Sequence, residues 1–233
     1  MSNDVEIPAV EAVRDYYDFN TRRWFRRPRV VDTIHRAVWG EGVRSETEAF
    51  HYVDALVLRE VEEVSRDLRT PLRVLDLGCG IGGSLIFLAS SSDISGSGVT
   101  VSPVQARYAA ERIVRAGLAN RVSVMEADFL HLPETLKPAH LAYSIEAFIH
   151  GPDPAAYFAA VANALVPGGM LIVCDDFLSG TAPAEQSSFN GHTLRAFRDG
   201  WLAHSLISVD KANEHAQQAG FEPVRNEIGR AHV

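Results

Sequence analysis

Two short runs hold the side chains with most chemistry to offer. Tyr143-Ser144-Ile145-Glu146-Ala147-Phe148-Ile149-His150 places a carboxylate and an imidazole four residues apart. Either group can take a proton from a reacting hydroxyl, amine or carbon, and a carboxylate can also stabilise a passing carbocation. Asp76-Leu77-Gly78-Cys79-Gly80-Ile81-Gly82-Gly83-Ser84 sets an acid just before glycines at 78, 80 and 82. Glycine lets a backbone turn sharply and approach a ligand with no Cβ in the way, so this loop is a candidate cradle. Asp175 and Asp176 close a third apolar run. Neighbours on a strand face opposite ways, so only one of the two can look into a cleft, and without a supporting set of ligands no metal is expected.

A different chemistry occupies the N-terminal part. Eight arginines lie between Arg14 and Arg44 against four acids, a local excess of +4 in a chain of formal net charge −8. Arg22, Arg23, Arg26, Arg27 and Arg29 fall within eight residues. On a helix 22/26 and 23/26/27 share faces, giving paired guanidinium forks suited to phosphate oxygens. His192, Arg195 and Arg198 recur at i, i+3 and i+6. Tyr16, Tyr17, Trp24, Phe25, His35 and Trp39 interleave with the basic stretch and suit an apolar acceptor or a passing cation. One expectation is therefore an anionic small molecule, most economically an isoprenoid diphosphate. The other is a solvated basic face and aromatics that merely pack a helix onto the core. Overall acidity and the scarcity of lysine (Lys137 and Lys211) argue against a nucleic-acid partner, leaving an RNA-modifying protein as a remote alternative.

These side chains need elements to position them. LRVLDLG (72–78) is a nearly continuous apolar run ending in glycine, the mark of a strand buried on both faces. GSGVTV (96–101), RVSVMEA (121–127), HLAYSI (140–145) and GMLIVCDDF (169–177) read alike, with helix-length segments between them. The alternation predicts an α/β fold, a doubly wound and mostly parallel sheet with helices on both faces. Ligands bind such sheets beyond the carboxyl ends of the strands, where Asp76, Glu146 and the 175–176 pair all lie. Gly117 and Pro167-Gly168-Gly169 read as helix stops. Within an N-terminal segment of 1–68, residues 1–65 read as helices: Ala9–Asn20, a break at Pro28, and a capping box at Ser45 and Glu48 opening a helix to about Val64. They are expected to form a lid on a core of 69–233.

Composition fits this plan. Of 233 residues 46% are hydrophobic and 22% charged, the balance of an ordinary globular domain that needs no disulfide to fold. Cys79 and Cys174 lie far apart in or beside apolar runs and read as free thiols of a reducing compartment. No apolar stretch reaches the roughly 20 residues of a spanning helix, and the acidic start is unlike a signal peptide, so a cytoplasmic location is expected.

The pattern h-x-D-h-G-C-G-x-G at 74–82 resembles the first motif of class I S-adenosylmethionine-dependent methyltransferases. The frame Gly78, Gly80, Gly83 would also suit a dinucleotide. However, an acid at 76 is awkward for a pyrophosphate and suits a cationic methionine end. Across about 70–180 the chain is most similar to a small-molecule subgroup with tocopherol, sterol, cyclopropane-fatty-acid and geranyl diphosphate C-methyltransferases. The resemblance implies a Rossmann-like core under an N-terminal helical lid, with S-adenosyl-L-methionine as cofactor and S-adenosyl-L-homocysteine as product. It puts Asp76, Gly78, Gly80 and Gly82 at the cofactor. Thr100 and Gln105, in G-h-T-h-S-x-x-Q, stand at the ribose where other class I enzymes use an acid. Asp128 would accept from the adenine amine and Phe129 cover the ring. Ser144, Glu146 and His150 match S-x-E-x-x-x-H between cofactor and substrate, with Ser144 on the cofactor side and Glu146 first and His150 second as catalytic groups. Tyr16-Tyr17 with Asn20, and His35 with Trp39-Gly40, resemble Y-Y-x-x-N and H-x-x-x-W-G segments. The expected substrate contacts are Tyr16, Tyr17, Arg22, Arg23, Arg26, His35, Trp39, Asp176 and Arg195. The implied reaction is C-methylation of an isoprenoid alkene, Glu146 stabilising the carbocation and removing a proton; the alternative is O- or N-methylation of a natural product by a histidine base. Such enzymes carry seven strands. Here the helix Val209–Ala219 leads into 220–224, read as strand six, and no seventh follows. The expectation is a C-terminally incomplete record, or a partner chain, such as a second copy in a homodimer, over the fifth strand's edge.

Overall fold

A computed structural model describes residues 10–25, 33–66, 68–179 and 189–227. Strands β1 (Leu72–Leu77), β2 (Ile94–Thr100), β3 (Val122–Glu126), β4 (Ala139–Ile145) and β5 (Leu165–Cys174) form one sheet in the order β3-β2-β1-β4-β5. Every pairing is parallel, the doubly wound arrangement expected from the alternating runs. The order reverses at β1, where consecutive crossovers pass to opposite faces and leave a crevice at the carboxyl ends of β1 and β4.

Helices α1 (Val10–Trp24), α2 (Glu46–Phe50), α3 (Tyr52–Ser65), α4 (Gly83–Ser91), α5 (Pro103–Arg115), α6 (Pro154–Ala164), α7 (Phe189–Trp201) and α8 (Val209–Gln218) complete the described chain. One face of the sheet is covered by Val57 and Val61 of α3, Leu85 and Leu88 of α4 and Ile113 of α5. Tyr157, Phe158 and Val161 of α6, with Ala212 and Ala216 of α8, cover the other. Local signals set the helix starts. Ser45 and Glu48 make the reciprocal capping box, while Ser102 and Asp153 each cap a helix with proline at its first turn. The helix expected from Ser45 to Val64 is two, because the backbone breaks at His51.

Two expectations are corrected. Pro167-Gly168-Gly169 does not stop α6, which ends at Ala164; it lies inside β5, where the register slips between the pairs Ala139–Leu165 and Leu141–Met170. A proline that cannot donate to the ladder and a glycine at φ +77° form an irregularity that only one neighbouring strand has to absorb. Residues 221–227 form no sixth strand. Gly220, at φ +93°, closes α8 by donating to the Gln217 carbonyl while the Phe221 N–H bonds Ala216 O, and the Phe221 ring packs on Phe158.

Helix α1 lies across the crevice and buries little, only Val13 and Thr21. Polar contacts seat it: Arg14 Nε donates to Val101 O (3.2 Å), the Ser102 hydroxyl to Asp18 (2.5 Å) and Gln105 Nε2 to Thr21 Oγ1 (3.2 Å). The Phe25 ring stacks on Tyr108 with centroids 4.1 Å apart. Among the described residues no helix is long and apolar enough to cross a membrane.

Candidate active site

The crevice widens into a cavity of about 410 Å³ between the glycine loop, the ends of β2 and β4, and α1, within the roughly 300–1,000 Å³ usual for small-molecule sites. Gly78 and Gly80 line it. Gly78, at φ +85°, donates to Val99 O, and a Cβ there would lie 2.3 Å from that of Ala147. Gly82 does not line the cavity; it is the residue before α4, turned against Ala109, and Gly83 lines the wall in its place. Asp76 is buried and accepts a 2.8 Å hydrogen bond from the Tyr143 hydroxyl. Burial outweighs that bond and pushes its carboxyl up to about 7.

At the β2 end, Thr100 donates to Gln105 Oε1 (2.8 Å) and Gln105 donates on to Thr21, so loop and α1 share one hydrogen-bond chain along the cavity. Phe129 lines the same end. Asp128 does not: its carboxylate accepts from Leu130 N (2.9 Å) and meets His131 Nδ1 (3.1 Å), closing its own turn. Ser144 is fully buried on the strand face opposite to Ile145, and Ile145 is the one that lines the cavity.

Beyond β4 the chain enters the site in an uncommon conformation. Glu146 sits at φ +49°; Leu202, at φ +53°, is the other described non-glycine residue in the left-handed region. One oxygen of Glu146 accepts from both the backbone N–H (3.1 Å) and Nε (3.0 Å) of Arg36, whose Nη2 donates to Asp176 (2.8 Å). The arginine thus ties the 33–40 segment to the ends of β4 and β5. His150 follows on a single 3-10 turn whose Ile149 N–H is held by Asp175 (3.1 Å). Burial raises Asp175 to about 7, the two N–H bonds it accepts offsetting part of the effect. The Leu202 carbonyl lies 3.2 Å from His150 Nδ1, and the Tyr17 hydroxyl 2.5 Å from Nε2. A carbonyl can only accept, so the ring proton is on Nδ1 and Nε2 is an acceptor. Burial lowers the imidazole below 6.5, and that nitrogen is free of a proton at neutral pH.

A second charged group lies beneath the glycine loop. Asp54 of α3 is fully buried, its oxygens 3.5 Å from His35 Nε2 and 2.8 Å from His51 Nδ1. Burial alone would raise it, but the neighbouring His35, His51 and Ser84 hold it down to about 2.

Of the expected substrate contacts, Tyr16, Tyr17, Arg23 and His35 line the main cavity. Asp176 lines a smaller adjoining one of about 40 Å³. Arg22 faces solvent beside Asp18 (3.6 Å), and Arg26 lies outside the described residues. Trp39 is 45% exposed, because Val38 bonds Ala49 and Gly40 rests on the Tyr52 ring, which turns the chain outward. Arg195 is exposed on α7, away from both cavities. Arg36 and Asp54 escaped the sequence reading. Arg36 was one charge among eight. Asp54 had a usable signal, since an acid in step with Val57 and Val61 sits on the buried stripe of its helix.

A methyltransferase-domain family model matches residues 74–169. A 27-O-demethylrifamycin SV methyltransferase of Amycolatopsis mediterranei (strain S699) is 31% identical over 156 residues, 67% of this chain and 56% of that protein. Methyltransferase GfsG of Streptomyces halstedii is 31% identical over 210 residues, 90% of this chain and 72% of that one. The chain thus spans little more than half the length of the first of these relatives. The cyclopropane synthase MmaA2 of Mycobacterium tuberculosis has the same fold, with a TM-score of 0.77 at 21% identity over 96% of this chain and 78% of its own.

Proposed function

The chain belongs to the class I S-adenosylmethionine-dependent methyltransferases, and from that premise we propose that it methylates a hydroxyl of a small, largely apolar acceptor, with His150 as the base. S-adenosylmethionine, when bound, supplies a methyl group on a sulfonium, an electrophile that needs no further activation. The residues fit it. Gly78 and Gly80, both at positive φ, turn the loop so that it lines the cavity, the buried Asp76 carboxyl answers a cationic amino-acid end, and Thr100, Gln105 and Phe129 offer polar and aromatic groups to an adenosine.

One observation carries the choice of base: His150 lines the cavity with Nδ1 held by the Leu202 carbonyl and Nε2, the acceptor nitrogen, paired with the Tyr17 hydroxyl. Its partner, the Tyr17 hydroxyl, occupies the position an acceptor hydroxyl would take. Methyl transfer is an in-line displacement, so beyond taking that proton the protein's task is orientation. Tyr16, Tyr17 and Trp24 give the cavity apolar walls. A 31% identical relative is named a 27-O-demethylrifamycin SV methyltransferase.

Isoprenoid C-methylation through Glu146 is the second reading. In its favour, the other Glu146 oxygen has no partner among the described residues and the side chain lines the aromatic cavity. Against it, a guanidinium 3.0 Å from that carboxylate opposes a developing cation. For a diphosphate, Arg23 is the one expected arginine at the main cavity among those described.

Methyl-labelled S-adenosylmethionine offered with phenols, alcohols, amines, isoprenoid alkenes and isoprenoid diphosphates tests both. His150→Gln should lower turnover of a hydroxyl acceptor by about 10²–10⁴ and Glu146→Gln should keep most of it. The reverse pattern, or label found on carbon, would install the second reading.

A further inference from the structure

We propose that Asp54 holds His35 as a buried cation that pairs with the carboxylate of the cofactor's amino-acid end, so that α3 sets cofactor affinity from beneath the glycine loop. The proposal rests on the cavity being the cofactor's site. Ile34 lies 3.1 Å from where a Cβ of Gly80 would be, so the 33–36 segment crosses the glycine loop and sets His35 on the wall shared with Asp76 and Ser84.

The groups around the ring favour the charged form. His35 Nδ1 lies 3.2 Å from the Arg36 carbonyl, and Nε2 lies 3.5 Å from Asp54 Oδ1, at ion-pair distance with no hydrogen bond formed by either atom. Both neighbours are acceptors, and a neutral imidazole, with one N–H, can serve only one of them. Asp54 is itself sealed from water and faces two histidines, His35 3.5 Å from one oxygen and His51 2.8 Å from the other; of the two, His35 lines the cavity. The charged groups facing His35 are Asp54 from α3, Asp76 from β1 and Glu146 beyond β4. Burial works to lower His35, but Asp54 outweighs it and the net displacement is upward.

The cavity lining therefore carries both an acid, Asp76, and His35, alongside the polar and aromatic groups Thr100, Gln105 and Phe129. A zwitterion, ammonium and carboxylate on one carbon, is the complement of that pair. Asp54 touches no ligand; it is a positioning residue acting through His35.

The test uses two probes sharing the adenosine thioether: S-adenosylhomocysteine, and 5′-methylthioadenosine, which lacks the amino-acid end. Calorimetry on the wild type, Asp54→Asn and His35→Gln should show S-adenosylhomocysteine weakened about tenfold or more in both variants, the scale of one lost charge-assisted hydrogen bond. Methylthioadenosine affinity should stay within about twofold. Nitrogen NMR should find His35 doubly protonated near pH 7.5 in the wild type, where an ordinary imidazole of pKa about 6.5 is neutral, and singly protonated in Asp54→Asn. Equal weakening of both probes, unchanged S-adenosylhomocysteine binding, or a neutral His35 in the wild type would each overturn the proposal. Should Asp54→Asn not fold, His35→Gln and the wild-type spectrum decide alone. If the wild type binds neither probe, the cofactor reading falls as well.

Discussion

Gly78→Ala should uncouple the glycine loop from the turn that carries His150 in a way that a second substitution partly repairs. The glycine stands at φ +85°, and an added Cβ would meet the Ala147 Cβ at 2.3 Å. The left-handed conformation costs an alanine about 1–2 kcal/mol. Relieving the overlap by moving backbone in a packed core costs roughly 1–3 kcal/mol more, a total of about 2–5 kcal/mol. For a chain of this length each kcal/mol lowers Tm by about 2–4 °C, so the melting temperature should fall by roughly 4–20 °C. Ala147→Gly removes the atom that is struck. In the double variant the steric part should vanish, while the left-handed cost and roughly 0.5–1 kcal/mol for the new glycine remain. A cycle of four proteins followed by thermal unfolding should thus show a favourable coupling of about 1–3 kcal/mol, with S-adenosylhomocysteine binding recovering alongside it. Additive losses would mean that the two Cβ positions do not meet, and the packing of the glycine loop on residue 147 would have to be abandoned.

Three further outcomes follow from the same geometry. Burial lowers His150 from 6.5, so with it as the proposed base the acid limb of a kcat profile should fall below 6.5, with a plateau above it, and vanish in His150→Gln. Asp175→Ala releases the turn that carries His150, so kcat should drop on the order of 10²-fold while the calorimetric affinity for S-adenosylhomocysteine stays at the wild-type value. Arg36→Met leaves the partly exposed Glu146 and Asp176 carboxylates without their shared cation; stability should fall by about 1–2 kcal/mol after allowing for solvent screening, and amide exchange should quicken first across 33–40.

The sheet was legible because its strands announce themselves locally. An apolar run such as 72–77, closed by glycine and followed by a helix-length segment, has one common solution, and five of them in alternation leave little choice of architecture. The irregularity in β5 was not legible for the same reason. Pro167-Gly168-Gly169 carries the local signature of a helix stop, and only the register against β4 reveals that the strand absorbs it. Phe221 misled in the opposite direction: a short apolar run after a glycine looks like a strand, yet with Gly220 capping α8 its ring is drawn onto Phe158.

The site divides along the same line. Residues chosen within one motif, such as Asp76, Thr100 with Gln105, and Glu146 with His150, come together because a strand and the turn after it deliver them to one edge. Their partners come from elsewhere: Arg36 reaches Glu146 across 110 positions, and Tyr17 reaches His150 across 133. No periodicity encodes a contact at that separation. The consequence is chemical as well as predictive. Both candidate catalytic groups are held by the N-terminal segment, His150 through Tyr17 and Glu146 through Arg36, although that segment buries few apolar side chains of its own. Its seat therefore depends on the same polar atoms that an acceptor needs. An acceptor hydroxyl at His150 Nε2 displaces the Tyr17 hydroxyl, exchanging one neutral hydrogen bond for another at little cost. Glu146 keeps one oxygen on Arg36 and offers the cavity only the other, beside a guanidinium that opposes a developing cation. That asymmetry supports the histidine as the proposed base.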